Sequence, residues 1–235
     1  MTAKGTDDAL GHFSREVEQF HGYYQDRPEF LERLEIWHEL LDRHFVRGGL
    51  SIDMGCGTGV FSFYLAEKEG RVIGIDGSPE MVEFCNAQRA ERRLENVRFI
   101  VGMLPDLDET GLTSADLIIA SSVVEYVDDL DPTLGLFARL LKTRGTLILS
   151  MPNKFCLNRV YERLKYRLRG EPQIYRYIRH FSSPVALQRR IRRYHLALEE
   201  VRYYAHYTRL AKLTRMLRLP LPLTEDLFVA VFRKL

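Results

Sequence analysis

Two carboxylates and three glycines carry the chemistry that is easiest to read from this chain. In Leu50-Ser51-Ile52-Asp53-Met54-Gly55-Cys56-Gly57-Thr58-Gly59 an acidic residue precedes three alternating glycines. A second carboxylate, Asp76, closes Arg71-Val72-Ile73-Gly74-Ile75-Asp76. Glycine permits positive φ and lets a ligand approach the main chain closely. A carboxylate about twenty residues beyond such a loop can accept both hydrogens of a ribose diol through charge-assisted hydrogen bonds. The loop by itself suits a dinucleotide fingerprint, a phosphate loop or a nucleoside-binding turn. It lacks the Gly-Lys-Ser/Thr ending of a Walker loop. Asp53 would also repel a pyrophosphate, which favours a polar ligand instead.

These groups need elements to hold them. Apolar residues before the glycines predict a buried strand ending near Met54, and Val60-Phe61-Ser62-Phe63-Tyr64-Leu65-Ala66 opens a helix. Further strands are expected at 72–75, 97–101, 116–120 and 145–149, with helices over 81–93 and 134–141. Short apolar strands alternating with helices imply an open parallel α/β sheet covered on both faces. Two more strands are expected near 198–203 and 227–232. Upstream, Phe13, Val17, Phe20 and Tyr24 share one helical face, and Phe30, Leu34, Trp37 and Leu41 share another, with Asp26-Arg27-Pro28 between the two helices.

Asp53-Met54-Gly55-Cys56-Gly57-Thr58-Gly59 resembles the cofactor motif of class I S-adenosylmethionine-dependent methyltransferases, an acidic residue two positions before Gly-x-Gly-x-Gly. Asp76-Gly77-Ser78-Pro79-Glu80-Met81 resembles that family's second motif. The resemblance covers residues 48–150 well and the rest loosely. It implies a Rossmann-like α/β fold with a seven-stranded, mostly parallel methyltransferase sheet, N-terminal helices and an acceptor-side insertion. The organisation expected is a helical lid over 1–47, an S-adenosylmethionine-binding core over 48–150, a basic helical substrate insertion over 151–195, and C-terminal strands over 196–235 that complete the core.

The resemblance also assigns a cofactor site. Gly55, Gly57 and Gly59 would pass beneath the methionyl part, Asp53 would lie near its ammonium, and Asp76, beside Gly77, would hold the ribose. Cys56 is expected as a small buried side chain in the loop. Met81, Met103 and Leu104 would lie near the adenine, where many relatives place an Asp at the position of Met103; Asp106 is the next carboxylate. Ser121-Ser122-Val123-Val124-Glu125-Tyr126 comes directly after the fourth strand. Ser121 is placed near the cofactor, and Tyr126 stands where His is frequent. As groups that could orient or deprotonate an acceptor, the sequence offers Tyr126, His21 and His180, with His12 as a further candidate. Histidine ionises near pH ~6.5, whereas an ordinary tyrosine near ~10 is a poor base.

The segment beyond the fourth strand bears on substrate class. The chain lacks the Asn/Asp-Pro-Pro-Tyr/Phe segment of DNA and protein amide methylases, and a Pro-Cys pair for covalent pyrimidine methylation. A small-molecule or lipid-like acceptor is therefore favoured over nucleic acid. Charge argues partly the other way: residues 151–220 hold 17 Lys/Arg and 4 Asp/Glu, whereas residues 1–150 hold 15 and 26. Such a patch suits an anionic substrate, a lipid surface or RNA, so an RNA methyltransferase or a non-catalytic cofactor-binding protein remains an alternative. Three scattered cysteines suggest neither a disulfide framework nor a metal cluster. With no signal-peptide pattern or long uncharged run, a cytoplasmic location is expected, in contact at most with a membrane surface; monomer and homodimer are both open. Over 154–169, Leu157, Val160, Tyr161, Leu164 and Leu168 recur at helical spacing. The simpler expectation is that this stripe packs on the domain as a lid, the other that it lies at a lipid boundary.

Overall fold

A computed structural model describes residues 11, 17–109, 112, 114–205 and 216–235; His12 and Phe13 lie outside them. Helices α1 (Val17–Asp26) and α2 (Pro28–His44) precede β1 (Leu50–Met54), α3 (Val60–Glu67), β2 (Arg71–Asp76), α4 (Pro79–Glu91) and β3 (Val97–Val101). Next come β4 (Ala115–Ala120), α5 (Leu130–Leu140), β5 (Leu141–Pro152) and α6 (Leu157–Arg169). A 3₁₀ turn at Gln173–Arg176, α7 (Pro184–Ile191), β6 (Leu196–Tyr204), the short α8 (Leu221–Thr224) and β7 (Leu227–Lys234) complete the order.

The strands form one seven-stranded sheet in the order β3-β2-β1-β4-β5-β7-β6. The pairs from β3 through β5 are parallel, and β7 runs antiparallel to both β5 and β6. Alternation along each strand sorts the core into two layers. Ile52, Met54, Ile73, Ile75, Ile118, Leu147, Leu149, Phe228 and Phe232 face α5 and α7, through Leu134, Phe137, Leu187 and Ile191. Val72, Leu117, Ile119, Ile148, Val229 and Val231 face Trp37, Leu41, Phe61, Leu65 and Cys85 of α2, α3 and α4. Leu187 and Ile191 belong to the first layer, so α7, which falls within the 151–195 segment, packs into the core.

Chain order reverses between β1 and its neighbour β4, and an open α/β sheet has its crevice at the carboxyl ends of the strands flanking such a point. Local sequence sharpens that edge. Ser78 caps α4, its Oγ accepting from Met81 N at 3.1 Å, with Pro79 in the first turn. Asp129 caps α5 in the same way through Asp131 N.

Candidate active site

The three glycines meet three different demands. All have positive φ: 68° at Gly55, 52° at Gly57 and 76° at Gly59. At Gly55 an added Cβ would lie 2.1 Å from Val123 Cγ2, so the loop can cross under β4's exit only without a side chain. At Gly59 it would lie 2.9 Å from the Phe63 ring and 3.0 Å from Cys85 Sγ; this residue turns the chain into α3 and does not line the cavity. Gly57 has ordinary space around it, 3.5 Å from Phe20, so its conformation alone requires glycine. The loop is pinned to β2: Gly55 N and Cys56 N donate to Ile75 O at 2.7 and 3.0 Å. Gly57 N donates to Asp76 Oδ2 at 2.8 Å and Ser78 N to Asp76 Oδ1 at 2.9 Å. Asp76 thus shapes the loop and retains lone pairs for a ligand.

Above this floor lies a cavity of about 520 Å³, within the range of small-molecule sites. Asp53, Gly55, Cys56, Gly57, Thr58, Asp76 and Gly77 form its base. Met81, Gly102, Met103 and Leu104 form one wall, and Ser121, Ser122, Val123, Tyr126 and Val127 the other. Its roof comes from α1 and α2: Phe20, Tyr23, Tyr24, Arg27, Phe30 and Arg33. The roof is internally packed, with Phe30 edge-on to Phe20 and Tyr24 at 5.9 and 4.9 Å between ring centres. Ile174 reaches in from the 3₁₀ turn after α6.

The charges are arranged in opposition. Burial pushes the Asp53 carboxyl up to about 7 against the pull of its hydrogen bond from Ser62 Oγ at 2.7 Å, and Asp76 adds repulsion. Burial raises Asp76 as well, while its backbone donors restrain the rise. Arg33 supplies the nearby cation. It is 7% exposed and donates Nε and Nη2 to Ser121 Oγ at 3.0 and 2.6 Å. Thr58 Oγ1 is buried without a hydrogen-bond partner among the described residues. A base lined with unsatisfied and opposed polar groups, beneath apolar walls, fits a zwitterionic nucleoside better than a wholly apolar ligand.

Of the residues expected from sequence, Asp53, Gly55, Cys56, Gly57, Asp76, Gly77, Met81, Met103, Leu104, Ser121 and Tyr126 line this cavity. Cys56 is buried and its thiol is pushed well above the ordinary range by its contact with Cys85 and by burial. Asp106 is exposed and does not line the cavity, so Met103 and Leu104 cover that wall without a carboxylate.

The two histidines require correction. His180 does not line the cavity; its Nε2 is 2.9 Å from Val127 O, a contact to the backbone of a lining residue. Burial lowers its pKa. His21 turns from the cavity toward Phe84 of α4, with ring centres 5.3 Å apart. Burial and then Arg92 lower its pKa. Tyr126 does line the cavity, and burial followed by Glu125 raises its phenol above the ordinary range, which suits it to donate a hydrogen bond.

Arg33 was missed from sequence because it reads as one charge in an amphipathic helix. A signal existed: Phe30, Arg33, Trp37 and Leu40 recur at spacings of three, four and three, which puts the arginine in line with the buried stripe.

Residues 47–194 match the methyltransferase domain family model. The chain belongs to the class I S-adenosylmethionine-dependent methyltransferase family. Among curated relatives of this chain is the ubiquinone biosynthesis O-methyltransferase of Xanthomonas oryzae, 30% identical over 158 residues, which span 66% of this chain and 65% of that protein. The aklanonic acid methyltransferase of a Streptomyces species is 33% identical over 112 residues, spanning 46% of this chain and 50% of the relative. The chain thus spans less than two thirds of the length of these relatives. Among solved structures, magnesium protoporphyrin IX methyltransferase of Synechocystis with bound SAH superposes with a TM-score of 0.73 at 16% identity, covering 97% and 99% of the two chains. At that identity the likeness shows the fold.

Proposed function

We propose that this protein moves the methyl group of S-adenosylmethionine to an O, N or C atom of a small, largely apolar acceptor held under the α1–α2 roof. One observation carries the reading: a diol acceptor (Asp76), an opposed pair of charges (Asp53 and Arg33) and an aromatic roof face a single cavity. Relatives named for ubiquinone biosynthesis and for aklanonic acid agree with it.

In this reading Asp76 accepts the ribose hydroxyls, Asp53 faces the α-ammonium, and Arg33, braced by Ser121, takes the α-carboxylate. Met81, Met103 and Leu104 enclose the base. The sulfonium of the bound cofactor supplies an already activated methyl group. The chain's own contribution is alignment and exclusion of water. Phe20, Tyr24 and Phe30 close over the loop, Val123 and Ile174 limit the acceptor's space, and Tyr126 donates a hydrogen bond to an acceptor oxygen. No histidine among the described residues lines the cavity. This favours an acceptor atom acidic enough to lose its proton without a histidine base, such as a phenol or enol. Arg27, exposed and stacked 3.6 Å above Tyr23, adds positive charge at the open side for such an anion.

Part of the basic excess that motivates an RNA acceptor is paired within the molecule: among the described residues, five of the 17 Lys/Arg of residues 151–220 form ion pairs. Arg159 pairs with Asp226, Arg179 with Asp128, Arg190 and Arg193 with Asp131, and Arg202 with Glu39 and Glu200. The test is incubation of the purified protein with methyl-labelled cofactor and, separately, phenolic quinone precursors, polyketide phenols and total RNA, with mass spectrometry of the products. Label in a phenolic product, lost in Asp76→Ala together with cofactor affinity, is expected. Label in RNA alone, or wild-type affinity in folded Asp76→Ala, would overturn the assignment.

A further inference from the structure

Helix α6 is mounted the opposite way round from an ordinary core helix. Its polar side faces the domain: Asn158 Nδ2 donates to both Asp226 carboxylate oxygens at 3.0 Å. Arg159 Nη1 donates to Tyr175 Oη at 3.1 Å, and that hydroxyl donates to Glu162 at 2.9 Å. Its apolar stripe faces outward. Leu157, Val160, Tyr161, Leu164 and Leu168 are between 39 and 76% exposed, and Phe155, just before the helix, is 53% exposed. The expectation that this stripe packs on the domain as a lid is therefore overturned. At about 100° per residue the stripe covers roughly a 100° sector. Lys165 and Arg167 fall on either side of it, with Arg163 and Arg169 further round. Among the described residues, Lys165, Arg167 and Arg169 form no ion pair.

We propose that α6 seats this protein on an anionic lipid bilayer, with the stripe at the acyl boundary and Lys165 and Arg167 among the headgroups. The charge decides between occupants. A second copy docked through the same face would bring two sets of these cations together, which like-charge repulsion disfavours. A bilayer offers the complementary anionic plane, and its lipids rearrange around a convex strip that presents no groove. Among the described residues no helix is long and apolar enough to cross a membrane, so the contact is peripheral.

The placement also links the bilayer to the cavity. Tyr175 ties the 3₁₀ turn to α6, while its neighbour Ile174 lines the cavity. An acceptor dissolved in the outer lipid layer would enter past Ile174. This route rests on the methyltransferase reading; the docking does not.

Co-sedimentation of the full chain, without cofactor, with vesicles of phosphatidylcholine alone or with about one phosphatidylglycerol in four tests it. The wild type is expected to sediment with the anionic vesicles at least roughly tenfold more than with the neutral ones, and to be released at ~1 M salt. Leu164→Glu/Leu168→Glu and Lys165→Glu/Arg167→Glu should each abolish sedimentation. Calorimetric titration with S-adenosylmethionine checks that the variants are folded, and separates a failure of docking from a failure of the cofactor assignment. No sedimentation of the wild type, or equal sedimentation of variants and wild type, would overturn the proposal. So would a dimer in ultracentrifugation that Leu164→Glu dissolves, or RNA binding lost in Lys165→Glu/Arg167→Glu with no vesicle binding.

Discussion

With the cofactor docked as proposed, its ammonium beside Asp53, the raised carboxyl should make binding a proton-release reaction. Burial holds that group at about 7 despite the hydrogen bond from Ser62. An α-ammonium docking beside it selects the ionised form, so below that pH each binding event expels a proton. Affinity should then climb about tenfold per pH unit and level off near pH 7, a gain of roughly 100-fold or ~2.7 kcal/mol over two units. Above about pH 8 the ammonium itself begins to lose its proton, and affinity should fall again. Stability of the ligand-free protein runs the other way. The unfolded carboxyl ionises near ~4 and the folded one near 7. The native state therefore binds the extra proton, and this group's stabilisation is present below about pH 4 and lost as pH rises toward 7. Asp53→Asn removes both effects. It should flatten the affinity profile below pH 7, weaken binding about tenfold at pH ~8, and stabilise the ligand-free protein near neutrality. Calorimetric titrations at pH ~6 in two buffers of different ionisation heat should count close to one proton released. A wild-type affinity that does not change between pH ~5 and ~7, or an Asp53→Asn profile that coincides with it, would refute the reasoning.

Three further outcomes are expected from the geometry. Arg33→Lys keeps the charge but loses the fork that grips Ser121 Oγ, so cofactor affinity should drop about tenfold by calorimetry; wild-type affinity would remove Arg33 from the site. Gly55→Ala places a methyl group against Val123 at positive φ, and its denaturation midpoint should report a loss of about 2–4 kcal/mol together with weakened binding. His180→Gln can still donate to Val127 O, so kcat and its pH profile on an identified acceptor should stay within about twofold. Loss of a titrating limb in that variant would return His180 to the chemistry.

The parts of this fold that sequence announced are those governed by local rules. Short apolar runs placed the strands to within a few positions, and Asp76-Gly77-Ser78-Pro79 spelled a strand end leading into a capped helix. The base of the cavity was legible for the same reason, since loop, carboxylate and cap are close in sequence and bonded to one another. Arg33 was not, because its partner Ser121 stands 88 residues away and no local pattern couples a helix charge to a strand-end hydroxyl. His180 misled because nearness to a substrate insertion in sequence says nothing of whether the ring reaches the cavity. The orientation of α6 was equally hidden: its periodicity gives a stripe, whereas Asp226, distant in sequence, fixes which side turns inward.

The position of β7 has a consequence for how the chain assembles as it is made. β6 is synthesised first but sits outside β7, at the edge of the sheet, and among the described residues pairs with no other strand. Until residues 227–234 have left the ribosome, β6 has nothing to dock on and β5 presents the open edge of a five-stranded parallel sheet. That edge includes Leu147, Ile148 and Leu149, which are fully buried once β7 is in place. An uncovered apolar strand edge is a template for pairing with other chains. A nascent chain stalled before β7 would carry the whole glycine loop and its carboxylates, yet it would leave this apolar edge uncovered and open to aggregation.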